Sequence, residues 1–295
     1  MTQTGWRTPT NKIVFGGTPL VQELKIETAT NCYPGRLVCK GTNDDDVVVA
    51  DGLKPVCGIL GYEQANPAFM PTNMTTLYTA NDQAPVLSGS GFLAKLPGGL
   101  LAGTVAAKND PILSWANGQV VPAGEFGGKY ALKIPFTQSS DAALDTGIEL
   151  PAGVLVTGAL IQVTTAVNGG TIDVGIDADE SGGDADGFLD GVSCAATGLV
   201  WPVVANTTDG SNTLGALISD TITSADTSAV YYRAPVALKC DGTAKTITYQ
   251  TSAHAVAGNI FLFIESPGVQ KIGKAGASAN AASAAADIQV EVTGL

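Results

Sequence analysis

Apolar and polar residues alternate in short runs along most of this chain, as is typical of β-strands with one buried face. Residues 171–176, for example, place Ile172, Val174 and Ile176 on one side and polar or small residues on the other. Turn-forming pairs such as Asp51-Gly52 separate the runs, and no long segment shows the period of an amphipathic helix. The pattern predicts an all-β protein.

The spacing of these runs predicts two folded regions. Between residues 21 and 122 short runs recur about every ten residues, which favours a small β-barrel. The Gly-rich segment 123–128 is interpreted as a linker, and the runs within residues 129–268 predict a jelly-roll-like β-sandwich. Residues 1–20 have little periodicity and are expected to form an extended N-terminal arm.

Residues 273–295 form a tail of unusual composition. From Gly273 to Ala286 the tail is almost wholly Ala, Gly, Ser and Asn, which suits either a flexible linker or a short helix. Ile288, Val290 and Val292 then alternate with polar residues and predict a terminal strand. Such a strand must pair with a sheet edge of its own chain or of a neighbour, and in a trimer its exchange would lock the subunits together.

The chain has 295 residues and a formal net charge of −12, which is unevenly distributed. Residues 1–128 carry a net charge of −2 and residues 129–295 a net charge of −10, and no Lys or Arg lies between Lys133 and Arg233. The chain lacks the basic character that nucleic acids and anionic membranes attract, so neither is an expected partner. The acidic region is either a solvated surface that favours solubility or a region that binds cations.

An Asp-rich segment is the candidate for cation binding. Calcium is coordinated by six to eight oxygen atoms, and a Gly-rich loop with alternating Asp residues can surround the ion. The carboxylates concerned are those of Asp177, Asp179, Asp184, Asp186 and Asp190. The spacing begins like an EF-hand loop, but Phe188 stands where a bidentate Glu is required. A calcium-binding β-loop and a solvated turn therefore remain the two alternatives, and calcium is the cofactor that this loop would bind.

No catalytic motif stands out. The single His of the chain, His254, is expected at a strand end or turn, and no nucleophile-elbow motif surrounds any Ser. Phosphate-binding and metalloprotease motifs are absent from the sequence as well. We therefore expect a protein that is not an enzyme.

The cysteines and the termini indicate the compartment. Five Cys without paired spacing indicate reduced thiols. Cys32, Cys39 and Cys57 could form a three-thiolate zinc site, but we expect them to be buried apolar side chains. Residues 1–12 are polar and show no signal peptide, and no apolar run reaches the ~20 residues of a membrane span. We expect synthesis in a cytoplasm and a soluble product.

Short segments between residues 34 and 120 share the pattern of a known protein family, namely residues 34–38, 47–52, 56–61, 78–87, 102–104, 109–111 and 116–120. They resemble the capsid cement proteins, or head decoration proteins, of tailed phages and related viruses. Residues 146–153, 170–176 and 182–189 are similar to the β-sandwich appendage of some phage head proteins. The resemblance implies a non-catalytic homotrimer that binds the major capsid protein at threefold or quasi-threefold positions on the outer surface of the virion.

The expected function is therefore capsid decoration, in which the barrel binds and stabilises the shell and the sandwich faces outward. The alternative is a head fibre or adhesin whose C-terminal sandwich binds host-surface glycans or receptors. Exposed aromatic residues would mark such a site, but we expect the three that could form it, Trp201, Tyr231 and Tyr232, to lie in the core. A major capsid or tail-tube subunit and a secreted lectin or hydrolase are disfavoured.

Overall fold

The computed structural model describes residues 12–138, 142–202, 213–215, 217–222, 232–235, 238–239, 243–253 and 255–295. These residues form β-strands and one 3-10 turn, Ala116–Gly118, and include no α-helix. The predicted all-β class is confirmed.

Twenty-five strands lie in this part of the chain. The first twelve are β1 (Val14–Gly16), β2 (Leu20–Ile26), β3 (Leu37–Lys40), β4 (Asp46–Val49), β5 (Val56–Leu60), β6 (Gln83–Ser88), β7 (Phe92–Leu100), β8 (Val105–Ala106), β9 (Pro111–Ser114), β10 (Val120–Phe126), β11 (Lys129–Thr137) and β12 (Leu144–Leu150). The others are β13 (Leu155–Thr165), β14 (Thr171–Ile176), β15 (Asp184–Ser193), β16 (Gly198–Val200), β17 (Thr213–Leu214), β18 (Ser219–Ile222), β19 (Tyr232–Pro235), β20 (Leu238–Lys239), β21 (Lys245–Thr251), β22 (Ala257–Glu265), β23 (Lys271–Ala275), β24 (Ala279–Asn280) and β25 (Ala286–Val292).

Strands β2 to β6 close into a small barrel in the order β2-β4-β3-β5-β6. Its interior is filled by the inward-facing residues of the alternating strands, including Ile26, Val38, Leu60 and Val86. β2 pairs with β6 over its length, but it pairs with β4 only at Lys25 and Ile26. The first residues of β2 therefore have a strand partner on one side only among the described residues.

The closed barrel ends at β6, so it is shorter than the predicted span of residues 21–122. The strands that follow belong to an eleven-stranded sheet, in which β7, β25, β23, β9 and β10 are successive neighbours. A single parallel bridge between Val120 and Leu100 joins β10 back to β7 and closes these five strands into a ring. The ring core and barrel residues such as Leu37 and Ile59 form one continuous apolar cluster.

The C-terminal tail completes this ring. β25 lies between β7 and β23 of its own chain, with Val290 opposite both Ala94 and Ala275. The tail strand therefore finds both of its partners within the chain. The Ala-rich tract before it forms β23, β24 and turns, so the predicted helix or flexible linker is wrong.

The predicted linker at residues 123–128 is also wrong. β10 runs through residue 126 and forms a hairpin with β11, and Gly127 and Gly128 make its turn with φ of +58° and +84°. Glycine adopts these left-handed conformations without steric penalty. The sequence pattern suggested a linker because a Gly-rich hairpin and a Gly-rich linker have the same composition.

Beyond the ring, the large sheet continues through β11, β22, β13 and β16. A second sheet has the order β12-β21-β14-β15-β17. Leu132, Ile161 and Ile260 of the large sheet share one apolar cluster with Ile172 and Ile247 of the second sheet. The alternating faces of both sheets thus bury a common core.

Candidate functional site

Strands β10, β11, β13 and β22 have apolar residues on both faces. One face contributes to the core shared with the second sheet. The other face carries a separate small cluster of Ala131, Leu160 and Phe261, with Phe126 and Phe263 packed against it. A sheet face that stays apolar after the core has been filled is a common feature of binding surfaces.

Three aromatic side chains form the exposed part of this second face, and we call them the aromatic platform: Phe126, Trp201 and Phe263. Trp201 follows β16 and stacks on Phe263, with ring centroids 6.5 Å apart and planes at 21°. Phe126 meets Trp201 edge-on at 6.1 Å and Phe263 at 5.7 Å. Trp201 is 57% exposed, so much of its indole ring is accessible to solvent.

Small residues make room for these rings. A Cβ atom on Gly124 would lie 2.6 Å from Cε1 of Phe261 and 2.7 Å from Cε2 of Phe126. In the pairing register, Phe263 lies opposite Ala131 on β11 and Gly158 on β13, neither of which carries a large side chain. The platform therefore depends on glycine at position 124.

Two clefts adjoin the platform. The first has a volume of about 360 Å³ and is lined by Trp201, Phe126 and Phe263 together with Lys129 and Thr157. The second, of about 220 Å³, shares Lys129, Thr157 and Phe263 with the first. We call the two together the platform groove.

The second cleft adds polar groups to the groove. Tyr130, Glu265 and Lys271 line it. The Lys271 ammonium group donates a hydrogen bond of 2.9 Å to the Tyr130 hydroxyl and lies 4.8 Å from the centre of the same ring. The groove thus combines flat aromatic rings at one end with two lysines, a phenol and a carboxylate at the other.

Trp201 is where the sequence prediction fails most clearly, since its exposure contradicts the expected core position. Tyr231 lies outside the described residues, and the Tyr232 side chain is not described. The groove residues Phe126, Lys129, Phe263 and Lys271 were missed altogether. The sequence carries a signal for Phe263, because the run Phe261-Leu262-Phe263 is apolar on both faces of a single strand.

The five Asp residues of the predicted calcium loop lie along two strands and their turn. Asp177 and Asp179 follow β14, whereas Asp184, Asp186 and Asp190 belong to β15. The Asp177 carboxylate accepts a hydrogen bond from the Asp179 backbone N–H. In the described part of the chain, no three acidic, His or Cys side chains gather as metal ligands. The calcium site therefore stays a prediction from the loop sequence.

The carboxyl groups of Asp184 and Asp186 interact with each other. A hydrogen bond with Asp186, followed in importance by burial and by the charge of Asp186, raises the pKa of Asp184 to about 6. Burial, opposed by a hydrogen bond from the Gly191 backbone N–H, also raises the pKa of nearby Asp173. Asp184 therefore retains its proton at mildly acidic pH.

The described thiols are buried or half-buried donors to backbone carbonyls. Cys32 donates to Thr28 O at 3.0 Å and Cys57 to Val38 O at 3.4 Å. Burial raises the pKa of both thiols to about 11, and that of Cys194 to about 12. These are neutral thiols, and no zinc-ligand group forms among the described residues. His254 and Cys240 lie outside the described residues.

No family model and no curated protein sequence matches this chain. No helix in the described ranges is long and apolar enough to cross a bilayer.

Proposed function

We propose that this protein is a virion structural protein that binds the outer capsid surface as an oligomer and stabilises the shell. The proposal rests on the resemblance of residues 34–120 to capsid cement proteins and on one feature of the barrel. Leu20 and Val21, at the start of β2, are 71% and 50% exposed. They stand where β2 lacks a second strand partner, so apolar side chains and free backbone groups are presented together.

An incompletely paired strand with exposed apolar residues can bind a strand or loop of another protein. The major capsid protein is the partner proposed here. The charge distribution agrees with an orientation in which the barrel faces the shell, because residues 1–128 carry only −2 of the net charge of −12. The acidic remainder would repel neighbouring copies less if it faced solvent.

The last part of the predicted N-terminal arm, at residues 13 and 14, is held by Glu63. The Glu63 carboxylate accepts hydrogen bonds of 2.9 Å from the backbone N–H groups of Ile13 and Val14. Ile13 is fully buried, so the chain is anchored there a few residues before Leu20. The arm and the exposed part of β2 would together contact the shell.

The experiment is co-sedimentation of the purified protein with undecorated shells of its virus. We expect saturable binding by the wild type and a loss of about tenfold or more in affinity for the double variant Leu20→Ser/Val21→Ser. Leu199→Ser is the matched control, because Leu199 is also about half exposed but lies on β16. Equal binding by the wild type and the double variant would reject this surface, and absence of binding by the wild type would reject the function.

We also propose a homotrimer and a jelly-roll-like sandwich for the two sheets that share a core. A trimer would multiply weak contacts with the shell, since each subunit binds at an effective concentration set by the others. Light scattering during size-exclusion chromatography should give three times the 29.8 kDa chain mass. A monomer at micromolar concentration would contradict the trimer.

A second candidate function is a head fibre or adhesin that binds host-surface glycans. The exposure of Trp201 favours it, because a monomeric fold gains nothing from leaving an indole ring accessible to solvent. A glycan array probed with the full chain tests it. Retention of any host-surface glycan supports this function, and an array without signal argues against it.

A further inference from the structure

We propose that the platform groove is a binding site for an anionic saccharide, one that carries carboxylate groups. The proposal rests on the second candidate function and names the site and the ligand class.

The aromatic platform has a shape and an accessibility that suit a sugar ring. A pyranose ring has one face made mainly of C–H groups, which carry partial positive charge and pack flat against the electron-rich face of an indole ring. Trp201 offers such a face because it is 57% exposed, and its stacking on Phe263 fixes the plane. Phe126 meets both rings edge-on, so the platform is preorganised.

The adjoining clefts have a size and a chemistry that suit a saccharide. The larger cleft, about 360 Å³, lies within the ~300–1,000 Å³ typical of small-molecule sites. Thr157 and Tyr130 add hydroxyl groups, and Glu265 adds a carboxylate that can accept hydrogen bonds from sugar hydroxyls. A saccharide can form further hydrogen bonds with these groups, whereas a purely apolar partner cannot.

The charged groups of the groove favour an anionic ligand. The chain is strongly acidic, and no Lys or Arg lies between residues 133 and 233. The groove nevertheless has two lysines, Lys129 and Lys271, and one carboxylate, Glu265. Lys129 is exposed, and Lys271 is held over the Tyr130 ring with its ammonium group bonded to the hydroxyl. Two ammonium groups beside a stacking platform suit a sugar with a negative substituent.

The test is binding of the full chain to immobilised oligogalacturonate, oligoalginate and sialyllactose, with maltotetraose and lactose as their neutral counterparts. We expect at least one carboxylated saccharide to bind tenfold or more tightly than its neutral counterpart. Trp201→Ala should remove binding to it, and Lys129→Gln/Lys271→Gln should weaken binding about tenfold at low salt. Leu199→Ser, which changes an exposed residue of the neighbouring strand, should bind like the wild type.

The outcomes of this test distinguish failure of the proposed binding site from failure of the adhesin function. No retention of any carboxylated probe, or equal binding of neutral and carboxylated probes, overturns the proposed ligand class. Glycan binding that survives Trp201→Ala overturns the site but leaves the adhesin function standing. A Trp201→Ala variant that loses self-association instead of saccharide binding would identify the groove as an interface between copies of this chain. Circular dichroism of each variant checks that the fold is retained.

Discussion

Val290 of the last strand lies directly opposite Ala94 of β7, so the C-terminal end of the chain is built into the middle of a sheet. Both residues are fully buried, and β23 covers the other edge of the same strand. The tail therefore contributes to the fold of residues 92–122, from which it is far removed in sequence. Removing it would expose the edges of both β7 and β23.

Val290→Ala should lower the free energy of unfolding by about 1–3 kcal/mol, because it removes buried methyl groups from a filled core. Urea denaturation followed by tryptophan fluorescence measures the change. Glu291→Ala on the exposed face of the same strand is the control and should change stability by less than about 0.5 kcal/mol. Equal effects of the two variants would mean that β25 does not pack as described.

Glu63→Gln should make the backbone at residues 13 and 14 more mobile. The neutral amide retains one oxygen acceptor, whereas the carboxylate accepts from both Ile13 N and Val14 N. We expect trypsin to cleave after Lys12 several times faster in this variant. Glu23→Gln, at an exposed position on β2, should leave the cleavage rate unchanged. A wild-type rate in Glu63→Gln would show that the carboxylate does not hold this segment.

The pKa of about 6 at Asp184 predicts a specific pH dependence of stability. An Asp in the unfolded chain has a pKa of about 3.9, so between pH 4 and 6 the folded state holds a proton that the unfolded state releases. This group therefore stabilises the fold at low pH, and its contribution is lost as the pH rises through 6. Asp46 and Glu27 have lowered pKa values and act in the opposite direction, so the wild type must be compared with a variant.

Asp184→Asn is that variant. The difference in Tm between wild type and variant should shift in favour of the variant as the pH is raised from 4.5 to 7.5. Asp177→Asn, in the turn between the same two strands, controls for the loss of one negative charge. A difference that does not change with pH would mean that the pKa of Asp184 is not raised in the folded protein.

Gly124→Ala should disturb the aromatic platform. The added methyl group would overlap ring atoms of Phe261 and Phe126, and displacing packed rings costs about 1–3 kcal/mol. Gly158→Ala is the matched control, because its Cβ atom would lie 3.5 Å from Phe263, an ordinary contact distance. Near-ultraviolet circular dichroism should change in Gly124→Ala and not in Gly158→Ala. Unchanged spectra in both would argue against the described packing of Phe126.

Local sequence patterns predicted many strands but few of their partners. The alternation in residues 171–176 identifies β14, because a period of two marks a strand and its buried face. The same signal cannot show that β7 pairs with β25, since that choice depends on contacts between residues about 190 positions apart. This is why residues 92–122 were assigned to the barrel.

The candidate site was harder to predict than the strands. Trp201 was expected in the core because large apolar residues are usually buried. Its exposure depends on Phe126 and Phe263, which come from distant strands and fill the space beneath it. Phe126 lies in residues 123–128, which the Gly-rich composition suggested to be a linker. Only the topology brings the three rings together.

Cryo-electron microscopy of undecorated shells mixed with the purified protein tests capsid decoration most directly. If the protein decorates the capsid, we expect added density on the outer surface at threefold or quasi-threefold positions, with the barrel end and the N-terminal arm against the shell. We also expect decorated shells to withstand higher temperature than bare ones, since a ligand of the assembled state stabilises that state. Shells that remain bare at saturating protein concentration would contradict capsid decoration.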